Sequence, residues 1–68
     1  MPIPIVINGQ PRTTDEGQTL LGLIHELHLD PARVAVELDR RIVKQPLWSD
    51  TPVRAGAQIE IVQFVGGG

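Results

Sequence analysis

The stretch IPIVING at positions 3–9 predicts a β-strand that ends in a tight turn. Isoleucine occupies every second position, which is the period of a strand with one buried face. Asn8-Gly9 follows, and this pair favours a type I′ hairpin turn because both central residues of that turn need a positive φ. Residues 10–14 should form the return strand. Pro11 favours an edge position for it, because proline cannot donate to a hydrogen-bond ladder.

One amphipathic helix is predicted after Thr19, a residue type that caps helix N-termini well. Leucine and isoleucine follow at the spacing i, i+3, i+4 and i+7, which places them on one helix face. Pro31 should stop the helix, because proline disfavours helical geometry at the residue before it. The core-facing positions predicted for this helix are Leu20, Leu23, Ile24 and Leu27.

Three more strands are expected, at residues 34–38, 41–44 and 58–65, with a turn at Asp39-Arg40. Prolines and a glycine make residues 45–57 irregular, with Trp48 partly buried at an apolar edge. The order β-β-α-β-β-β can bury one helix on one face of a mixed five-stranded sheet, with the last strand parallel to the first. We therefore predict an α+β protein of the β-grasp, or ubiquitin-like, class. Residues 1–65 would form the domain and residues 66–68 a flexible tail.

The predicted tail is Gly66-Gly67-Gly68, which directly follows the last strand. Glycine buries no side chain, so these residues have no packing value. They would instead form a flexible segment without side chains, which could place the carboxylate of Gly68 in a narrow active-site channel of a partner. The alternative is a frayed chain end, which is common. The chain has no cysteine, so any sulfur that it carries would have to sit on this carboxylate.

A docking surface is predicted from the alternation of the last strand. Ile59 and Ile61 should face the helix and join Val36 in the core. The opposite, uncovered face would then carry an acidic, an aliphatic and an aromatic residue near the tail, and an N-terminal valine would extend it. The alternative is a set of ordinary sheet residues, because single exposed apolar side chains are common. The predicted docking residues are Glu60, Val62, Phe64 and Val6.

Composition excludes several classes of function. Eight acidic and six basic residues give a formal charge of −2, and the aromatic residues are Trp48 and Phe64, so nucleic acid is an unsuitable partner. The apolar stretches are too short for a membrane span and the N-terminus lacks a signal-peptide pattern, so a cytoplasmic protein is expected. His25 and His28 lie three residues apart without a third ligand, which favours a solvated helix face over a metal site. We expect no bound cofactor and no catalytic residue in the body of the chain.

Taken together, these motifs resemble the ThiS family, the small sulfur carriers of thiamine biosynthesis. The resemblance covers essentially the whole chain, from the IVING hairpin through Gly17-Gln18-Thr19 and Val34-Ala35-Val36 to the ending QIEIVQFVGGG. The ending is its most specific part. Two departures lie at Asp39-Arg40-Arg41, where the family often has an asparagine-containing turn, and at Lys44-Gln45-Pro46.

The resemblance implies a mechanism centred on Gly68. An E1-like adenylyltransferase of the ThiF type would use ATP and magnesium to convert the Gly68 carboxylate into an acyl-adenylate. A persulfide that originates from a cysteine desulfurase would then leave a thiocarboxylate, whose sulfur goes to thiazole synthase of the ThiG type. The chain would be a substrate of these enzymes and not itself an enzyme.

Three other functions stay open at this point. The small subunit of molybdopterin synthase is also a β-grasp sulfur carrier, although it usually has prolines before its glycines where this chain has Phe64-Val65. A ubiquitin-like modifier would form isopeptide bonds with lysines. A binding-only β-grasp module would have an inert tail.

Overall fold

The computed structural model describes residues 1–64 as one sheet with one α-helix packed on it. The strands are β1 (Pro2–Ile7), β2 (Gln10–Asp15), β3 (Val34–Leu38), β4 (Arg41–Val43) and β5 (Gln58–Gln63), and the helix is α1 (Leu20–Glu26). The sheet order is β2-β1-β5-β3-β4, in which β1 and β5 are parallel and the other neighbours are antiparallel. The predicted mixed five-stranded β-grasp sheet is therefore confirmed. β2, which contains Pro11, lies at its edge as predicted.

Both predicted tight turns have positive φ at their two central residues. Asn8 and Gly9 have φ values of 50° and 79°, and Asp39 and Arg40 have values of 50° and 71°. Positive φ at both central residues defines a type I′ turn, whose twist matches that of the flanking antiparallel strands. These two turns connect β1 to β2 and β3 to β4.

Helix α1 begins where predicted and ends earlier than predicted. The Thr19 hydroxyl accepts a hydrogen bond from the Gly22 N–H at 3.1 Å and so caps the N-terminus. At the other end His28 adopts a left-handed φ of 60°, and the Leu29 N–H reaches back to the Ile24 carbonyl at 3.1 Å. This is a Schellman motif, and it ends the helix well before Pro31. No helix within residues 1–64 is long and apolar enough to cross a membrane.

The core lies between α1 and the sheet. Five of the seven residues predicted for it are buried, and Leu27 and Ile61 are partly buried against it. Leu27 is the C-cap and not a residue of the helix interior, which explains its partial burial. The buried apolar residues are Ile5, Ile7, Leu20, Leu23, Ile24, Val34, Val36, Trp48, Val53, Ala57 and Ile59.

The segment at residues 45–57 is more ordered than the sequence predicted. A 3₁₀ helix covers Gln45–Asp50, and a second short one covers Pro31–Arg33. The prediction that Trp48 is partly buried at an edge was wrong, because its side chain is only 1% exposed. The indole Nε1 donates to the Val43 carbonyl at 2.7 Å, which satisfies its polar atom inside the core.

Candidate functional site

Strand β5 presents its side chains alternately to the two faces of the sheet. Ile59 is buried towards α1, and Ile61 is partly buried there. On the opposite, helix-free face, Glu60 is exposed, Val62 is 60% exposed and Phe64 is 55% exposed. Phe64 follows the last strand residue. Its N–H still donates to the carbonyl of Arg33, the residue just before β3, so the alternation extends to it. Glu60 and Val62 lie on the predicted face, whereas the predicted docking role of Glu60, Val62 and Phe64 stays a prediction.

Val6 shares the helix-free face but lies at its far end. It is in register with Gln58, the first residue of β5, and it is partly buried. Phe64 follows Gln58 by six residues, which separates the two ends by about 20 Å along the strand. The structure therefore does not join Val6 to Val62 and Phe64 in one local patch.

Ile42 is an exposed apolar residue of this face that the sequence interpretation did not select. It lies on β4 opposite Glu37, which in turn lies opposite Glu60, so these three residues form one row across three strands. Ile42 is 77% exposed. It borders a shallow depression together with Val62. The two-residue turn at Asp39-Arg40 pairs Leu38 with Arg41 and therefore places Ile42 opposite Glu37. The length of this turn is the signal that would have placed Ile42 on the outer face.

Two contacts fix β5 just before the tail. The N–H of Ile61 donates to Asn8 Oδ1 at 2.7 Å, and Asn8 Nδ2 donates to the Ile61 carbonyl at 3.1 Å. Three residues further on, the Phe64 N–H donates to the Arg33 carbonyl at 2.8 Å. The backbone of the chain is thus held by hydrogen bonds as far as Phe64.

The predicted tail residues Gly66, Gly67 and Gly68, and Val65 before them, lie outside the described residues. Their role stays a prediction. Covalent geometry still limits their reach, because four residues span no more than about 14 Å when fully extended. Any reaction at the Gly68 carboxylate therefore takes place within about 14 Å of Phe64.

The two histidines do not form part of a larger ligand cluster. His25 lies in the last turn of α1 and His28 follows its C-cap, and both side chains are exposed. Across the described part of the chain, no group of three or more histidine, cysteine, aspartate or glutamate side chains is placed to hold a metal ion.

The charged groups of residues 1–64 are at the surface. The one ion pair there joins Arg33 Nε to Asp30 Oδ2 at 3.9 Å, and both side chains are more than half exposed. Such a pair contributes little to stability. The only buried polar residue in this range is Thr14, whose hydroxyl donates to Glu26 Oε1 at 3.0 Å.

A mixed sheet of this order, with one helix on one face and the other face open, defines a β-grasp protein. The model of the ThiS family matches residues 5–68, and this chain belongs to that family. The crystal structure of the thiamine biosynthesis protein ThiS from Geobacter metallireducens superposes with a TM-score of 0.84. The two sequences are 29% identical, and the match covers 97% of this chain and 100% of that one.

Two curated relatives are much longer proteins. The thiazole synthase of Magnetococcus marinus is 38% identical over 64 residues, and that of Paramagnetospirillum magneticum is 39% identical over 64 residues. Each match covers 94% of this chain and 20% of the relative. The chain therefore spans about a fifth of the length of these relatives.

Proposed function

We propose that this chain is a sulfur carrier for thiazole formation in thiamine biosynthesis, and that Gly68 is the residue that carries the sulfur. The observation that carries the proposal is the family match, which continues through Gly68. The absence of cysteine from the sequence supports it, because no side-chain thiol can hold the sulfur. The position of Phe64, fixed to the sheet four residues before Gly68, gives the tail a defined origin.

The chemistry begins with activation of the Gly68 carboxylate. A carboxylate is a poor electrophile because its oxygen is a poor leaving group. An E1-like adenylyltransferase, with ATP and Mg²⁺ as co-substrates, forms the acyl-adenylate and releases pyrophosphate. The magnesium ion offsets the phosphate charge during this step.

Sulfur then replaces the adenylate. The terminal sulfur of a persulfide, which a cysteine desulfurase supplies, attacks the carbonyl carbon of Gly68, and AMP leaves. A thiol then cleaves the sulfur–sulfur bond and is itself oxidised to a disulfide. The product is a thiocarboxylate on Gly68, which is a competent sulfur nucleophile.

The proposed acceptor is thiazole synthase. Two proteins with that name contain a segment that is 38–39% identical to this chain. A carrier segment within the same polypeptide as its acceptor raises the effective concentration of one for the other. This arrangement in the relatives supports direct transfer of sulfur from a carrier of this type to thiazole synthase.

The helix-free face is the proposed docking surface for both enzymes. Val62 and Phe64 expose more than half of their side chains and lie directly before the tail. Docking through them brings the tail to the enzyme and leaves Gly68 within about 14 Å of the contact.

Intact-mass spectrometry tests the proposal. The chain is incubated with the adenylyltransferase, ATP, Mg²⁺, a cysteine desulfurase, cysteine and a thiol. We expect one oxygen to be replaced by one sulfur, and the sulfur to be lost on addition of thiazole synthase and its substrates. A ladder of larger species linked to lysines would instead identify a ubiquitin-like modifier.

A further inference from the structure

Two glutamates face each other at the centre of the helix-free face. Glu37 on β3 lies directly opposite Glu60 on β5, in an antiparallel pair. Side chains in such a pair lie on the same face with Cβ atoms about 5 Å apart. Glu37 is partly buried and Glu60 is exposed.

This arrangement is unfavourable for the isolated domain. Like charges directly opposite each other destabilise a sheet. Arg40 borders the same part of the surface. The ion pair of residues 1–64 joins Arg33 to Asp30, however, so within that range neither glutamate is neutralised by a bridge.

Apolar side chains flank the two carboxylates. Ile42 continues their row on β4 and is 77% exposed, and Val62 lies in the next row and is 60% exposed. These side chains and both glutamates border one depression. The surface therefore combines a central negative charge with an apolar rim. An apolar rim excludes water from a central contact and strengthens it.

We propose that this surface takes a lysine or arginine side chain that the adenylyltransferase presents within an apolar patch of its own. The inference rests on the proposed function and specifies the chemistry of the partner. The cation neutralises Glu37 and Glu60 together, while apolar side chains of the enzyme cover Ile42 and Val62. Electrostatic complementarity of this kind also accelerates association and selects against wrong partners.

Binding to the adenylyltransferase across a series of salt concentrations tests the inference. The variant carries Glu37→Gln and Glu60→Gln, which keep the shape of both side chains and remove their charge. We expect roughly a tenfold or greater loss of affinity and a flatter dependence on salt, because the charged contact is lost. Glu60→Lys should weaken binding further. Glu16→Gln, in the loop before α1, removes one charge elsewhere and should leave the affinity unchanged.

The inference and the proposed function fail in different ways. The double variant could bind as tightly as the wild type with the same salt dependence, while Phe64→Asp weakens binding. That result would support the docking surface and contradict the proposed contact of a cationic side chain with Glu37 and Glu60. If the wild type does not bind the enzyme, both are wrong. Self-association of the wild type through this face, seen by analytical ultracentrifugation, would assign the face to a second copy of the chain and also overturn the inference.

Discussion

The side-chain amide of Asn8 pairs with both polar backbone groups of Ile61, at 2.7 Å to its N–H and 3.1 Å to its carbonyl. The amide takes the place of the next peptide group of β1, which turns away from β5 at Gly9. Asp39, the matching residue of the other type I′ turn, accepts a hydrogen bond from the Gln58 N–H at 2.9 Å. The side chain of the first central residue of each turn thus also bonds to the backbone of β5, the strand that leads to the tail.

Asn8→Gly isolates this contact, because glycine adopts the positive φ of the turn without a side chain. Loss of two hydrogen bonds should lower the free energy of unfolding by about 1–2 kcal/mol. The Ile61 amide should exchange its hydrogen faster. Asn8→Asp keeps the acceptor and loses the donor. Its stability and the protection of its Ile61 amide should therefore fall between those of the wild type and those of Asn8→Gly. Equal protection of the Ile61 amide in all three proteins would show that the contact does not hold β5.

Trp48→Phe tests the buried indole. Phenylalanine fills most of the volume but leaves the Val43 carbonyl without its donor, so the variant should lose about 1–3 kcal/mol of stability. Trp48→Ala should lose about 3–5 kcal/mol, which approaches the total for a domain of this size. Urea unfolding followed by circular dichroism measures both, since the variants lack the single tryptophan as a fluorescent probe. A urea-unfolding curve of Trp48→Ala that matches that of the wild type would contradict the core described above.

Ile59→Ala and Ile61→Ala compare two positions on one face of β5. Ile59 is 1% exposed, whereas Ile61 is partly buried. Ile59→Ala should cost about 2–5 kcal/mol of unfolding free energy, and Ile61→Ala should cost less because less apolar surface is lost. Thermal denaturation ranks them. The opposite order would mean that the position of α1 over β5 is incorrect.

Phe64→Asp tests the docking surface. The substitution should weaken binding to the adenylyltransferase by roughly 1–3 kcal/mol, because a charge replaces an apolar anchor. Leu47→Asp is a matched control, since Leu47 is 56% exposed and lies outside the sheet, in the 3₁₀ helix at Gln45–Asp50. Calorimetric titration should separate the two variants, while their melting temperatures stay close to that of the wild type. An equal loss of affinity for both would remove the support for this face.

Short-range patterns predicted most of the fold. Asn8-Gly9 determined the first hairpin, and the alternation of β5 placed Ile59 and Val62 on opposite faces. These signals lie within a few residues of each other, and each follows from a local period or a turn preference.

The errors lie where no familiar local pattern marks the structure. The position of Trp48 depends on the Val43 carbonyl and on the packing of a 3₁₀ helix against α1, which no local pattern encodes. The helix end at His28 was missed because glycine is the usual signal for this motif. The row of Ile42, Glu37 and Glu60 required the register of three strands.

Intact-mass comparison of the wild type with a variant that lacks Gly68 tests the central claim most directly. Both proteins are incubated with the adenylyltransferase, ATP and Mg²⁺, and then with the sulfur source. The wild type should gain one adenylate and then exchange one oxygen for sulfur. The shortened chain, and a chain extended by one alanine after Gly68, should gain neither, although both should melt like the wild type because glycine has no packing role. Adenylate or sulfur on either variant at the rate of the wild type would contradict the assignment of Gly68 as the carrier residue.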